Sequence, residues 1–407
     1  MSMTVLTVIV SFLCIVLGAA SATVRFGSWR RLVVGVLGLA AIVAIGSWAY
    51  TKRAEPAAAA CRLPTTTAEL GSVCGFKNPE DLQYVRSMNL IVVSEEGFGG
   101  RVLSLNPDAL NAGPRVLWPA DAETMSRWAT QAEDPDGDLG DEDCPFPSDP
   151  NALWPHGLSA LEPIESTSPV RIAFVSHRVV NGTLTDSIQL FDLSEGDTPF
   201  QWRGCLNFPD DVIGNDISFL DDGSLLATNF VPRGTREQLE RSVFRGGVLG
   251  FNTGDILRWS REQGWSHIPG TQAAIPNGIA VARDNDTFYY ADAGNSEVVI
   301  MSVATGKELR RVRVGGAPNN LTVTASGKVL ATGATLSGDL PIICGFGGRR
   351  CRTGWGVWEI DAANGSVAEI VAESGNYVSN ATTALEIGDT LYIGSMDDTR
   401  VALYRRP

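Results

Sequence analysis

The sequence predicts an all-β, six-bladed β-propeller preceded by N-terminal transmembrane helices. Short strand-like runs alternate with Gly, Asp, Asn and Pro turns from about residue 76 to the end, the texture of a sandwich, barrel or propeller. One hairpin phrase recurs: Asp216-Ile-Ser-Phe-Leu-Asp-Asp-Gly-Ser-Leu-Leu-Ala-Thr, Gly278-Ile-Ala-Val-Ala-Arg-Asp-Asn-Asp-Thr-Phe-Tyr-Tyr-Ala-Asp and Asn320-Leu-Thr-Val-Thr-Ala-Ser-Gly-Lys-Val-Leu-Ala-Thr. A polar residue, a strand, a tight turn and a second strand, repeated, is what a radial array of blades produces, and the repeat spacing suits about six of them. Two apolar segments stand ahead of this domain.

Those segments are Thr4–Ala20 and Leu32–Tyr50, each close to the roughly 20 residues that span a bilayer. Arg25, Arg30 and Arg31 form a basic loop between them. The positive-inside rule puts that loop in the cytoplasm and sends the main domain to the extracytoplasmic side. Residues 1–54 are thus read as a membrane anchor, 55–75 as a linker and 76–407 as the propeller. A cleaved signal peptide ending near Ala20 fits less well, because a basic n-region is missing.

Within the domain, Asn89–Ser94, Arg171–Ser176, Ser187–Leu193, Val298–Val303 and Thr390–Gly394 read as strands. Asp121–Ala132 and Arg236–Ser242 are modest helix candidates. The acidic stretch from Glu133 to Asp143 hints at an EF-hand, but Leu139 stands where the turn glycine belongs and Pro145 where the bidentate Glu belongs, so it reads as a solvated loop. Cys144 at its end is a candidate partner for Cys205.

Composition narrows the chemistry. With 44% hydrophobic and 19% charged residues the chain builds a sizeable core, and a net charge of −14 argues against nucleic acid as a partner. Cys14 lies in the first apolar segment; Cys61, Cys74, Cys144, Cys205, Cys344 and Cys351 form an even set compatible with three disulfides. Asn-x-Ser/Thr sequons occur at Asn181, Asn285, Asn320, Asn364 and Asn380, of consequence only in a secretory pathway. There is no Gly-x-Ser-x-Gly elbow, no His-Glu-x-x-His, no Walker loop and no CxxC, which removes the usual hydrolase, zinc and nucleotide motifs.

Oxygen chemistry remains. Calcium takes six to eight oxygens from carboxylates, carboxamides, backbone and water. In a propeller, residues just before each inner strand point into the central channel, so Glu80, Asn215, Asn277, Asn319 and Asn320 can converge although far apart in sequence. Only three histidines occur. His156 stands in Trp-Pro-His-Gly-Leu, and His177 ends the apolar run Val-Arg-Ile-Ala-Phe-Val-Ser-His.

In this setting the chain from about residue 76 onward resembles the paraoxonase family of calcium-dependent lactonases and arylesterases. The matching motifs are Pro-Glu80-Asp81-Leu, Trp-Pro-His156-Gly-Leu, the strand ending at His177 before Ser187-Ile-Gln-Leu-Phe-Asp-Leu, Gly-Asn215-Asp216-Ile, Pro-Asn277-Gly-Ile and Asn319-Asn320-Leu. Single loops also fit gluconolactonase-like and strictosidine-synthase-like propellers; the paired histidines select the paraoxonase branch. The resemblance implies two calcium ions. Glu80, Asn215, Asn277, Asn319 and Asn320 would hold the catalytic one; Asp81, Asp216 and the backbone near Leu158 would hold a structural one. His156 would be the general base and His177 its partner, with Phe98 and Trp154 at the pocket mouth. Metal-assisted attack of water on a lactone or aryl ester follows. A non-catalytic, calcium-stabilised binding propeller is the rival expectation.

This chain departs from the family twice. Asn319 stands where the family has Asp, and Tyr404-Arg405-Arg406 replaces the stretch carrying the ring-closing cysteine. Closure is therefore expected from strand pairing, with Cys344–Cys351 as one option for a disulfide.

Overall fold

The computed structural model describes residues 61–131, 140–141, 144–163, 168–180, 183–194, 200–338 and 352–407, which belong to one compact unit. The two N-terminal apolar segments, most of the acidic loop and the Cys344–Cys351 pair lie outside the described residues. No described helix is long and apolar enough to cross a membrane.

The unit consists of six four-stranded antiparallel sheets. The first strand, β1 (Leu70–Cys74), belongs to the last blade. Blade one is β2 (Pro79–Val85), β3 (Leu90–Glu95), β4 (Val102–Leu105) and β5 (Arg115–Trp118). Blade two is β6 (Pro155–Leu161), β7 (Val170–Val180), β8 (Thr183–Leu193) and β9 (Phe200–Asn207). Blade three is β10 (Val212–Phe219), β11 (Leu225–Pro232), β12 (Asp255–Ser260) and β13 (Gly264–His267). Blade four is β14 (Pro276–Val281), β15 (Thr287–Asp292), β16 (Glu297–Ser302) and β17 (Glu308–Arg313). Blade five is β18 (Ala317–Val323), β19 (Val329–Gly338), β20 (Thr353–Asp361) and β21 (Ser366–Glu373). Blade six is β22 (Ala381–Ile387), β23 (Thr390–Ser395), β24 (Arg400–Arg405) and β1.

The ring closes by pairing β1 with β24, from Leu70 opposite Tyr404 to Cys74 opposite Arg400. Strand pairing thus closes the ring, as expected from the sequence. The linker expectation for residues 55–75 is corrected here: Leu70–Cys74 is a strand of the propeller, and Cys61 is bonded to Cys74. Cys144 is bonded to Cys205, tying the chain after the acidic loop to the outer strand of blade two.

The core lies between blades. Trp118, Trp128, Phe174, Phe191, Phe200 and Trp202 pack together where blades one and two meet, with Phe191 and Phe200 stacked at 4.2 Å. Each fully buried side chain of this size stabilises by about 1.5–3 kcal/mol. Among the described residues two α-helices decorate the ring: α1 (Ala122–Gln131) and α2 (Arg236–Leu249). α2 is longer than its sequence pattern suggests, because Thr235 and Gln238 form a reciprocal capping box and Gly250 caps the other end at φ 69°. Inside the ring, the six inner strands enclose a cavity of about 360 Å³ lined by Asp81, Leu158, Asp216, Ile279 and Leu321, running toward Arg86 and Arg283.

Candidate functional site

All six inner strands carry a register break near their start: between Pro79 and Asp81, Pro155 and Leu158, Gly214 and Ile217, Pro276 and Ile279, Pro318 and Leu321, and Ala381 and Thr383. A bulge re-aims the residues it contains. The residues inside the breaks are Glu80; His156 and Gly157; Asn215 and Asp216; Asn277 and Gly278; Asn319 and Asn320; and Thr382. The expected ligands therefore lie within the strands, at their bulges, rather than just ahead of them.

Contacts link these bulges around the ring. His156 Nε2 is 3.6 Å from Glu80 Oε1. The Asn320 Nδ2 donates to Glu80 Oε1 at 2.8 Å, and the Thr382 hydroxyl donates to the Glu80 carbonyl at 2.5 Å. Gly157 abuts the side chain of Asp216 and the backbone of Asn215, and Gly278 abuts the backbone of Asn319 and Asn320, so closely that a Cβ at either position would collide. Blades three and four are joined by the Ile279 N–H, which donates to Asp216 Oδ2 at 2.8 Å.

Within these bulges, five side-chain oxygens are left over. Glu80 Oε2 and the Oδ1 atoms of Asn215, Asn277, Asn319 and Asn320 are buried and accept no hydrogen bond. Native proteins rarely strand buried acceptors, because each costs about 1–3 kcal/mol. These five are the oxygens expected to face a cation. Among the described residues no three His, Cys, Asp or Glu side chains cluster as a metal site; this donor set is one carboxylate and four carboxamides, all hard oxygen, which suits calcium and not zinc. Burial, with the charges of Asp81, Glu96 and Asp216, holds the Glu80 carboxyl well above the usual carboxylate range. A cation would reverse that.

Asp81 and Asp216 lie one position deeper and are satisfied by backbone. The Leu82 and Leu158 N–H groups donate to Asp81 at 2.8 and 2.9 Å. Those of Ile217 and Ile279 donate to Asp216 at 2.7 and 2.8 Å. Each aspartate thereby clasps its own blade to the next. Burial raises both carboxyls, Asp81 to about 6. Leu158 meets this pair through its N–H.

The two histidines meet directly: His156 Nδ1 and His177 Nε2 are 2.8 Å apart, both rings buried. His177 Nδ1 lies 2.8 Å from Asp186 Oδ1, and Asp186 Oδ2 accepts the Gly214 N–H at 2.7 Å. Burial lowers the His156 pKa well below the ordinary value, helped by His177. Burial also opposes charge on His177, yet Asp186 and then Glu96 hold its pKa above the ordinary value. Trp154 stands edge-on to His177 at 5.7 Å, and its backbone carbonyl accepts the backbone N–H of His177 at 3.1 Å. Phe98 is 74% exposed on the connection between β3 and β4, the side of the ring on which the inner strands begin. The third histidine, His267, pairs with Asp255 on an outer strand at 2.7 Å and is remote from the site.

Sequence reasoning missed two acidic residues here. Glu96 lies beside His177 and Asp397, and burial lifts its carboxyl to about 7. Asp186 had a signal in the chain. Asn181-Gly182 is a strong hairpin dipeptide, and a hairpin centred on it sets His177 opposite Asp186, as the β7–β8 register does. Asn320, one of the sequons, is only 1% exposed and cannot accept a glycan in this fold.

No curated protein is matched by the chain. Similar solved structures include a gluconolactonase from Xanthomonas campestris, 14% identical, covering 87% of this chain and 96% of that one with a TM-score of 0.47. The virginiamycin B lyase of Staphylococcus aureus is 10% identical over 82% of this chain and 98% of that one, with a TM-score of 0.43. A luciferin-regenerating enzyme is 12% identical over 82% and 95%, with a TM-score of 0.48. The model of the SMP-30/Gluconolactonase/LRE-like region matches residues 176–397, more than half of the chain, and the protein belongs to that family.

Proposed function

We propose that this protein hydrolyses lactones and aryl esters with calcium, by attack of water and with His156 as general base, in the manner of the paraoxonases. The observation that carries this reading is the coincidence of five orphaned buried oxygens with a buried histidine pair 3.6 Å from one of them. Family membership supports lactones as the substrate class. The donor set fits calcium, with Glu80, Asn215, Asn277, Asn319 and Asn320 holding it; a second ion at Asp81, Asp216 and Leu158 is part of the same reading, since each carboxylate oxygen that accepts an N–H keeps a lone pair.

Calcium bound there would act as a Lewis acid toward the substrate carbonyl. The remaining work falls to side chains. His156, buried and held neutral, takes a proton from water through Nε2. His177 receives the proton that His156 Nδ1 gives up. Trp154, edge-on to His177, keeps bulk water from the histidine pair, and Phe98 offers an apolar contact at the approach. Asn319 makes the site less negative than an aspartate would, which weakens attraction for the cation. The reading includes an N-terminal anchor and an extracytoplasmic domain, for which the two disulfides are support.

The test is hydrolysis of a small lactone and phenyl acetate by the full chain, with and without EDTA. Turnover that EDTA abolishes and calcium restores is expected, with His156→Gln losing about 10²- to 10⁴-fold while still binding calcium. Because His177 must be unprotonated to receive a proton, kcat/KM should fall as pH drops through a value above the ordinary histidine pKa of about 6.5. Absence of turnover in folded, calcium-loaded protein would assign the chain to the binding propellers instead.

A further inference from the structure

We propose that Asp186 fixes the tautomers of both site histidines, leaving the free lone pair of the couple on His156 Nε2. Donors and acceptors decide the tautomers. A carboxylate has only acceptor sites. Asp186 Oδ2 is taken by the Gly214 N–H at 2.7 Å, and Oδ1 faces His177 Nδ1 at 2.8 Å, so the proton of that second contact belongs to His177 Nδ1. A neutral His177 then presents a lone pair at Nε2. Its partner at 2.8 Å, His156 Nδ1, must be the donor. The lone pair of His156 falls to Nε2, the nitrogen that looks toward Glu80. One buried aspartate thereby decides the protonation of a ring it does not touch.

The catalytic consequence rests on the hydrolase reading; the tautomers do not. As water's oxygen bonds to the substrate carbonyl carbon, its proton passes to His156 Nε2. The Nδ1 proton of His156 passes to His177 Nε2. The positive charge ends on His177, whose Nδ1–H faces Asp186. As the new C–O bond forms, the carbonyl π bond opens and its electron pair goes to the carbonyl oxygen, which takes the negative charge; the electrons of the broken water O–H bond stay on the attacking oxygen, so charge and protons balance. Asp186 is a positioning residue in this scheme. It sits on β8 of blade two and grips the backbone of β10 in blade three, one residue before Asn215, so the same side chain aligns the base with the oxygen cluster.

The experiment is a ring-nitrogen NMR correlation on the full-length chain labelled with ¹⁵N-histidine, at alkaline pH where the rings are neutral. Three histidines keep the spectrum simple, and His267 on its outer strand is the internal reference. Protonated Nδ1 and bare Nε2 are expected on both His156 and His177. In Asp186→Asn the carboxamide oxygen keeps the Gly214 N–H and its NH₂ faces His177 Nδ1, so both rings should switch to the opposite tautomer. The variant should lose kcat by about 10³- to 10⁴-fold with KM little changed, by analogy with the same exchange behind the serine-protease histidine. A His156 protonated at Nε2 in the unaltered protein overturns the proposal, as does an Asp186→Asn spectrum identical to the unaltered one. Should the variant not fold, the unaltered spectrum decides alone. A tautomer switch in a protein that hydrolyses no ester upholds the role of Asp186 and overturns only the hydrolase reading.

Discussion

Glu80 is the residue on which the most opposed forces act. It is fully buried, with one oxygen held by Asn320 and the other by nothing. Without a cation its charge is costly; with one it would be the carboxylate of the proposed ligand set. Glu80→Gln should therefore change sign with conditions. In EDTA near neutral pH the variant should melt higher than the unaltered protein, by the equivalent of about 1–3 kcal/mol, since a neutral amide replaces a stranded carboxylate. In saturating calcium the order should invert, because a ligand at about 100 Kd stabilises by about 2.7 kcal/mol and the variant forfeits most of that. Melting curves in the two buffers decide it; equal shifts in both would remove Glu80 from the ligand set. At this scale the chain was largely readable. Glu80, His156, His177 and the four asparagines were nameable from motifs, whereas Glu96 was not. Its raised pKa arises from burial and from His177 and Asp397, neighbours brought by other strands and loops.

The inner-strand bulge is the element that turns these residues into a site. Six strands repeat it, and two of the bulges contain a glycine pressed against the next blade. Gly278 meets the backbone of Asn319 and Asn320, which cannot swing aside as a side chain would. Gly278→Ala is accordingly expected to push β14 from β18 and to cost about 1–3 kcal/mol as overpacking, with a loss of calcium affinity larger than that of an alanine at an open glycine such as Gly247, where a Cβ meets nothing. Calorimetric calcium titration of the two variants is the check, and equal affinities would show that the bulge packing does not shape the site. The recurring hairpin phrase announced these strands, and its leading polar residue announced what faces the channel. The phrase did not announce the bulges, because a register break is a property of two paired strands and is invisible in either one.

At the scale of the molecule, the propeller is a closed ring whose last blade borrows its outer strand from the N-terminal side. β1 covers the edge of β24, and the Cys61–Cys74 bond anchors the chain leading into it. Removing residues up to Cys74 should expose β24 as an unpaired edge, lower the melting temperature and promote association, while the double change Cys144→Ser and Cys205→Ser should cost only about 2–4 kcal/mol and leave the ring closed. Light scattering and melting curves distinguish the two; a truncated chain that stays monomeric and melts normally would refute the closure.

By itself the sequence determined the class and repeat of the fold, since the turn residues and alternating strands are local, and it named the residues that meet at the bulges and both histidines, since their motifs are contiguous. Only the tertiary structure decided that residues 70–74 close the ring, that five oxygens at the inner-strand bulges are left without partners, and that Asp186 stands behind the histidine pair. Each of these depends on which strands meet and on what burial denies to a polar atom, and neither is written in any one stretch of chain.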